Sequence, residues 1–105
     1  MLEKDRQIAL KLKHEISKIA PIVDFRVFGS RARGDAEEDS DLDVYLEVKS
    51  LDPTLKRKIR HTAWEVGFKH LIVISAAIFS QEEIENSPLR ASPLVMNILE
   101  EGIAL

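Results

Sequence analysis

The chain has no cysteine. Disulfide bonds, thiol catalysis and thiolate metal sites are excluded at the outset. Long apolar runs are also missing. The longest, Leu71 to Phe79, already includes Ser75 and falls well short of the roughly 18 residues a membrane helix requires. Glu3, Lys4, Asp5 and Arg6 stand where a signal peptide needs an apolar stretch, so a cytoplasmic location is expected. There is no excess of positive charge: Lys and Arg total 15 against 18 Asp and Glu, for a net charge of -3. General nucleic-acid binding needs a basic face and is not expected. With four glycines and four prolines, the sequence shows no linker, repeat or low-complexity tract. What is present suits one domain over residues 1–105: 45% hydrophobic residues for a core and 31% charged residues for a solvated surface.

Ile8, Leu12, Ile16 and Ile19 fall three and four apart and predict a helix over residues 3–20, stopped by Pro21. Residues 22–28 read as a strand with Val23, Phe25 and Val27 inward and Asp24 and Arg26 outward. Gly29 and Ser30 turn the chain, residues 30–34 have room for one helical turn, and 35–40 form an acidic loop. Residues 41–48 alternate strictly, with Leu42, Val44, Leu46 and Val48 on one face and Asp41, Asp43, Tyr45 and Glu47 on the other. Asp52 caps a helix with Pro53 at its first position, running to about Val66, with Gly67 as its stop. Leu71 to Ile74 is apolar on both faces and predicts a covered strand. Ser80 and Glu83 have capping-box spacing, and Pro88 ends the short helix they open. Ser92 and Pro93 start a last helix with the stripe Leu94, Val95, Ile98 and Leu99, ended by Gly102. The expected fold class is α+β, an α/β sandwich with one small mixed sheet backed by helices.

Chemistry concentrates between residues 29 and 43. Asp41 and Asp43, two apart on a strand, point to the same face about 6–7 Å from each other along the backbone. Their carboxylates can converge on a hard cation such as Mg²⁺, which favours oxygen ligands and keeps waters and phosphates in its shell. Gly29 lets backbone approach a phosphate, and the Ser30 hydroxyl with the following N–H groups can donate to phosphate oxygens. Arg31 and Arg33 lie in the same turn and can neutralise phosphate charge. An EF-hand fails, because Val44 and Ser50 stand where the loop needs glycine and glutamate. A P-loop fails, because Asp35 stands where lysine must be. Taken alone, the two aspartates read as acids on a solvated strand face. The Gly-Ser turn ten residues before them, between two strands, favours the paired site.

Gly29-Ser30, ten residues, then Asp41-Leu42-Asp43 resembles the motif of the minimal nucleotidyltransferases of the DNA polymerase beta superfamily. Gly29 to Gly34, Ser40 to Asp43, and Ser87-Pro88-Leu89 through Ile103 are similar to small prokaryotic members. The resemblance implies the nucleotidyltransferase fold and transfer of a nucleoside monophosphate, AMP from ATP, to a hydroxyl. It implies Asp41 and Asp43 as catalytic metal ligands for two Mg²⁺ ions, and Gly29, Ser30, Arg31 and Arg33 at the nucleotide phosphates. It also implies a protein partner, as in pairs with helical HEPN-type proteins in toxin–antitoxin systems. One departure stands out. The family carries a third carboxylate on the next strand, whereas Leu71 to Ser75 offers Val73 and Ser75 on the relevant face. Glu47, about 13 Å along the strand from Asp43, cannot replace it. The second ion is then weakly held, and the alternative is a nucleotide-binding antitoxin module of low or no turnover that acts by partner binding.

Other residues have plainer readings. Trp64 is expected to pack near the core. Tyr45 shares the aspartate face and is read as a base-stacking or rim residue. His14, His61 and His70 lack metal-ligand spacing. Lys56, Arg57, Lys58 and Arg60 form a solvated basic face, and Met96 lies on a helix flank.

Overall fold

The alternating segments become the strands of one four-stranded mixed sheet in the computed structural model, which describes residues 1–105. Helix α1, Glu3–Ser17, carries Glu3 and Asp5 in its first turn, where acids favour the helix dipole. It ends three residues before the expected Ala20. The N–H groups of Lys18 and Ile19 bond back to the carbonyls of Glu15 and Ile16, a tightening that turns Ile19 out of the apolar stripe and into solvent.

Strand β1, Ile22–Phe28, buries Phe25 and Val27 but not Val23. A register irregularity between Ile22 and Asp24 breaks the alternation there and leaves Val23 outward. One helical turn, α2, Gly29–Arg33, and the acidic loop lead to β2, Leu42–Val48. Helix α3, Pro53–Lys69, opens as expected with Asp52 accepting from the Leu55 N–H at 2.7 Å. It does not stop at Gly67. A Cβ at that position would lie 2.5 Å from the Ile72 carbonyl oxygen, so the glycine serves the close return of the chain. The helix ends at Lys69, and Leu71, at φ 56°, makes the turn.

Strand β3, Ile74–Ser80, therefore starts later than the expected 71–74 segment, and Leu71 and Val73 are exposed rather than covered. The capping box of Ser80 and Glu83 starts α4, Gln81–Asn86. A short 3₁₀ turn at Pro88–Ala91 leads to α5, Pro93–Glu101, capped by Ser92. Its buried side is Val95 and Ile98, while Leu94 of the expected stripe is exposed. A two-residue strand, β4, Ile103–Ala104, follows Gly102 and pairs with Arg26 and Val27.

The strand order is β3-β2-β1-β4. Strand β1 is antiparallel to β2 and β4, and β2 is parallel to β3 through the α3 crossover. The main core lies on one face, where Leu42, Val44, Leu46 and Val48 meet Leu12 and Ile16 of α1 and Ile59 of α3. On the other face Tyr45 is enclosed by Ile84, Val95 and Ile98 of α4 and α5. This helix-covered mixed sheet matches the α+β expectation. No helix is long and apolar enough to cross a membrane.

Candidate active site

Antiparallel pairing sets Phe28 opposite Asp43, so the chain leaves β1 at Gly29 directly beside the Asp43 carboxylate. Gly29 adopts φ +73°, and a Cβ there would lie 2.5 Å from Asp43 Oδ2. Both the left-handed backbone and the missing side chain are required. The chain then winds into α2, whose Ser30 carbonyl accepts from the N–H groups of Gly34 and Asp35 at 3.0 and 3.1 Å. Gly34, at φ +85°, closes the turn as its left-handed cap. The sequence-expected meeting of the Gly-Ser turn with the aspartate strand is thus realised at Gly29 and Asp43.

Asp41 is exposed just before β2, and Asp43 is half-buried within it. Between them, the Leu42 N–H donates to the Val73 carbonyl at 2.9 Å and pins this stretch to the strand entering β3. Burial raises the Asp43 pKa above the ordinary value, the nearby Asp41 charge raises it further, and Arg33 opposes the shift. The ion pairs of the fold leave both aspartates out. Two neighbouring carboxylates without an ion-pair partner, against a backbone cradle that a Cβ would fill, form an oxygen donor set that fits a hard divalent cation. In parallel register Asp43 lies beside Ser75, and no group of three or more His, Asp or Glu side chains converges in the fold.

The two arginines part company. Arg31, expected at the phosphates, is 4% exposed in its side chain. Its Nη1 donates to Asp5 Oδ1 at 3.0 Å, and its Nε and Nη2 donate to the carbonyls of Ser40 and Glu38. Four hydrogen bonds hold its guanidinium inside the protein, and this burial goes against the phosphate reading of Arg31. Arg33 is exposed, pairs with Asp35 at 3.2 Å, and is the arginine whose charge reaches Asp43.

Sequence reasoning missed Asp5, although a signal existed. Asp5 precedes Ala9, Leu12 and Ile16 at helical spacing, so it is an acid on the apolar stripe of α1, and such a group needs a buried partner.

Tyr45 is corrected too. It is fully buried, its hydroxyl donates to Glu47 Oε1 at 3.2 Å, and its ring lies 5.7 Å from that of Phe79. It is not available to stack on a base. Burial raises the Glu47 pKa, and the Asp24 and Glu85 charges add to this against the Tyr45 hydrogen bond and Arg90. Trp64, expected near the core, is mostly exposed.

A mixed four-stranded sheet with helices, as seen here, matches the fold of nucleotidyltransferase structures. The nucleotidyltransferase domain family matches residues 9–105, and the chain belongs to it. Members of that family generally use a divalent metal. A Methanocaldococcus jannaschii protein described as a candidate protein adenylyltransferase is 40% identical over 93 residues, an alignment covering 80% of this chain and 87% of that protein. Two crystal structures share the fold. One, a toxin–antitoxin with AMP-PNP, has a TM-score of 0.60 at 17% identity, covering 93% of this chain and 69% of the other. The second, a mutant of the toxin–antitoxin MntA–HpeT, has a TM-score of 0.58 at 16% identity, covering 95% and 70%.

Proposed function

We propose that residues 1–105 act as one Mg²⁺-dependent nucleotidyltransferase domain that moves AMP from ATP to a hydroxyl on a protein partner and releases pyrophosphate. The observation that carries this reading is the close approach of Gly29 to Asp43, which sets the turn against one carboxylate of the pair. Family membership and the described activity of the M. jannaschii relative support the reaction class. The AMP-PNP and toxin–antitoxin descriptions of the structural neighbours support a nucleotide and a protein partner, for which a HEPN-type helical protein is the candidate.

Asp41 and Asp43 would hold the metal ions. When bound, such ions neutralise triphosphate charge and lower the pKa of the attacking hydroxyl. Gly29 and Ser30 cradle the phosphates, with Gly29 keeping the backbone low enough for close approach. Arg33 adds positive charge at the rim. The acceptor oxygen forms a bond to the α-phosphorus, the α–β bridge bond breaks, and the hydroxyl proton leaves to solvent. Much of the acceleration is then positioning and charge neutralisation.

A second reading has a specific observation behind it. Ser75 stands beside Asp43 where a third carboxylate would strengthen metal binding, which favours nucleotide binding with little turnover and action by partner contact. Incubation with α-labelled ATP, Mg²⁺ and the candidate partner separates the two. Label transfer that Asp41→Asn abolishes supports the enzyme. Partner inhibition that survives Asp41→Asn, with no label transferred by either protein, supports the binding module.

A further inference from the structure

Helix α3 has two apolar faces, and the sheet uses only one. Ile59, Ala63 and Val66 point into the core. Trp64 and Phe68, four residues apart, point out of it, with their rings stacked at 5.3 Å. The turn into β3 adds Leu71 and Val73. These four side chains are 60%, 67%, 93% and 64% exposed. Beside them an apolar groove of about 450 Å³ runs between α3 and β3, floored by Ile74 and Ala76.

The groove lies along an open sheet edge. β3 is the outer strand of the sheet, with no strand paired along its outer rim. Arg60 Nη1 donates to the Ala76 carbonyl at 3.3 Å, but the strand itself, Ile74-Ser75-Ala76-Ala77-Ile78-Phe79-Ser80, carries no charge and no proline. Edge strands of soluble proteins are normally blunted by such residues. Here the small side chains of Ala76 and Ala77 leave the rim approachable.

We propose that this face is a homodimer interface, in which two copies pair their β3 edges antiparallel about a two-fold axis and bury Trp64 and Phe68 between them. An occupant must supply a strand edge and an apolar surface side by side. A second copy supplies both through symmetry, because a two-fold interface sets the same patch against itself. The area suffices. At these exposures the four side chains present on the order of 500 Å² per copy, so pairing removes about 1,000 Å² or more, the size at which specific interfaces begin. A patch of this size lies toward the upper end of what a monomer exposes, where functional surfaces are found. The strand pairing adds main-chain hydrogen bonds to the apolar burial. Asp43 lies on the other face of the sheet and one strand inward, so the dimer leaves the candidate site open.

Trp64 is the chain's one tryptophan and reports on this surface directly. Sedimentation equilibrium of the full chain at about 100 µM is expected to give twice the 11.9 kDa chain mass. Trp64 emission is expected to be blue-shifted there and to move red on dilution. Phe68→Glu and Val73→Glu change exposed side chains outside the core. Each is expected to weaken association at least ~30-fold, with red-shifted emission and unchanged far-UV circular dichroism. A wild-type chain that stays at 11.9 kDa with solvent-like emission overturns the proposal, whether it remains alone or is covered only after a different protein is added. A dimer that survives both substitutions, or open-ended growth with concentration, also overturns it.

Discussion

Gly29 and Gly34 share a left-handed backbone but not a neighbourhood. At Gly34 nothing lies within 4 Å of an added Cβ, whereas at Gly29 the Asp43 carboxylate does. Gly34→Ala should therefore cost only backbone strain, about 1–2 kcal/mol by chemical denaturation, and leave nucleotide affinity intact. Gly29→Ala adds displacement of Asp43 to the same strain, and titration should show nucleotide binding weakened about tenfold or more. Arg31 and Arg33 make a second contrasting pair. Arg31→Leu strands the buried Asp5 charge, and the expected loss of stability is about 3–5 kcal/mol. Arg33→Ala removes an exposed ion pair, so the melting curve should barely move, by within ~0.5 kcal/mol, while triphosphate affinity falls several-fold. Equal effects of the two arginine substitutions on both readouts would contradict the division of labour described for them.

Among the elements, α3 shows where local rules yield to packing. Alanine in place of a mid-helix glycine ordinarily stabilises by about 1 kcal/mol. At Gly67 the backbone carbonyl of Ile72 is in the way, and Gly67→Ala should instead destabilise by about 1–3 kcal/mol in thermal or urea unfolding. The same residue explains a misreading. Glycine as a helix stop is a local inference, but the cause of this glycine is a contact with a segment that has already turned back. Strand β2 was legible because its alternation is set by the core face. The burial of Tyr45 was not, because α4 and α5, which cover the opposite face, are distant in sequence. The pairing of Gly29 with Asp43 could be read from the spacing of its motif. The fate of Arg31 could not, since its partner Asp5 is 26 residues away on α1. The bulge at Val23 and the two-residue β4 leave too few residues for any periodicity to mark.

At the scale of the whole molecule, the sheet is covered by helices on both faces, and the Glu47 carboxyl is caught beside Tyr45 under the smaller cover. Glu47 has a pKa raised above its ordinary value of 4.5. At low pH it is neutral in both the folded and unfolded chain. As pH climbs through that raised value, the folded protein must carry a poorly solvated charge, so its stability contribution is lost upward. Glu47→Gln keeps an acceptor for the Tyr45 hydroxyl without the charge. Its melting temperature relative to wild type should rise from about pH 4 to pH 7, and a flat or falling difference would contradict the assignment. The same architecture makes the site: β1 and β2 set Gly29 against Asp43, and the Arg31 clamp ties the loop before Asp41 to α1.

The most direct measurement is calorimetric titration of the chain with AMP-PNP, with and without Mg²⁺, for wild type and Asp43→Asn. The account predicts binding by the wild type in Mg²⁺, weakened at least ~30-fold either by chelating the metal or by the substitution. Wild-type binding that is absent at millimolar nucleotide, or that is indifferent to both changes, would contradict a single metal–triphosphate site at Gly29, Asp41 and Asp43.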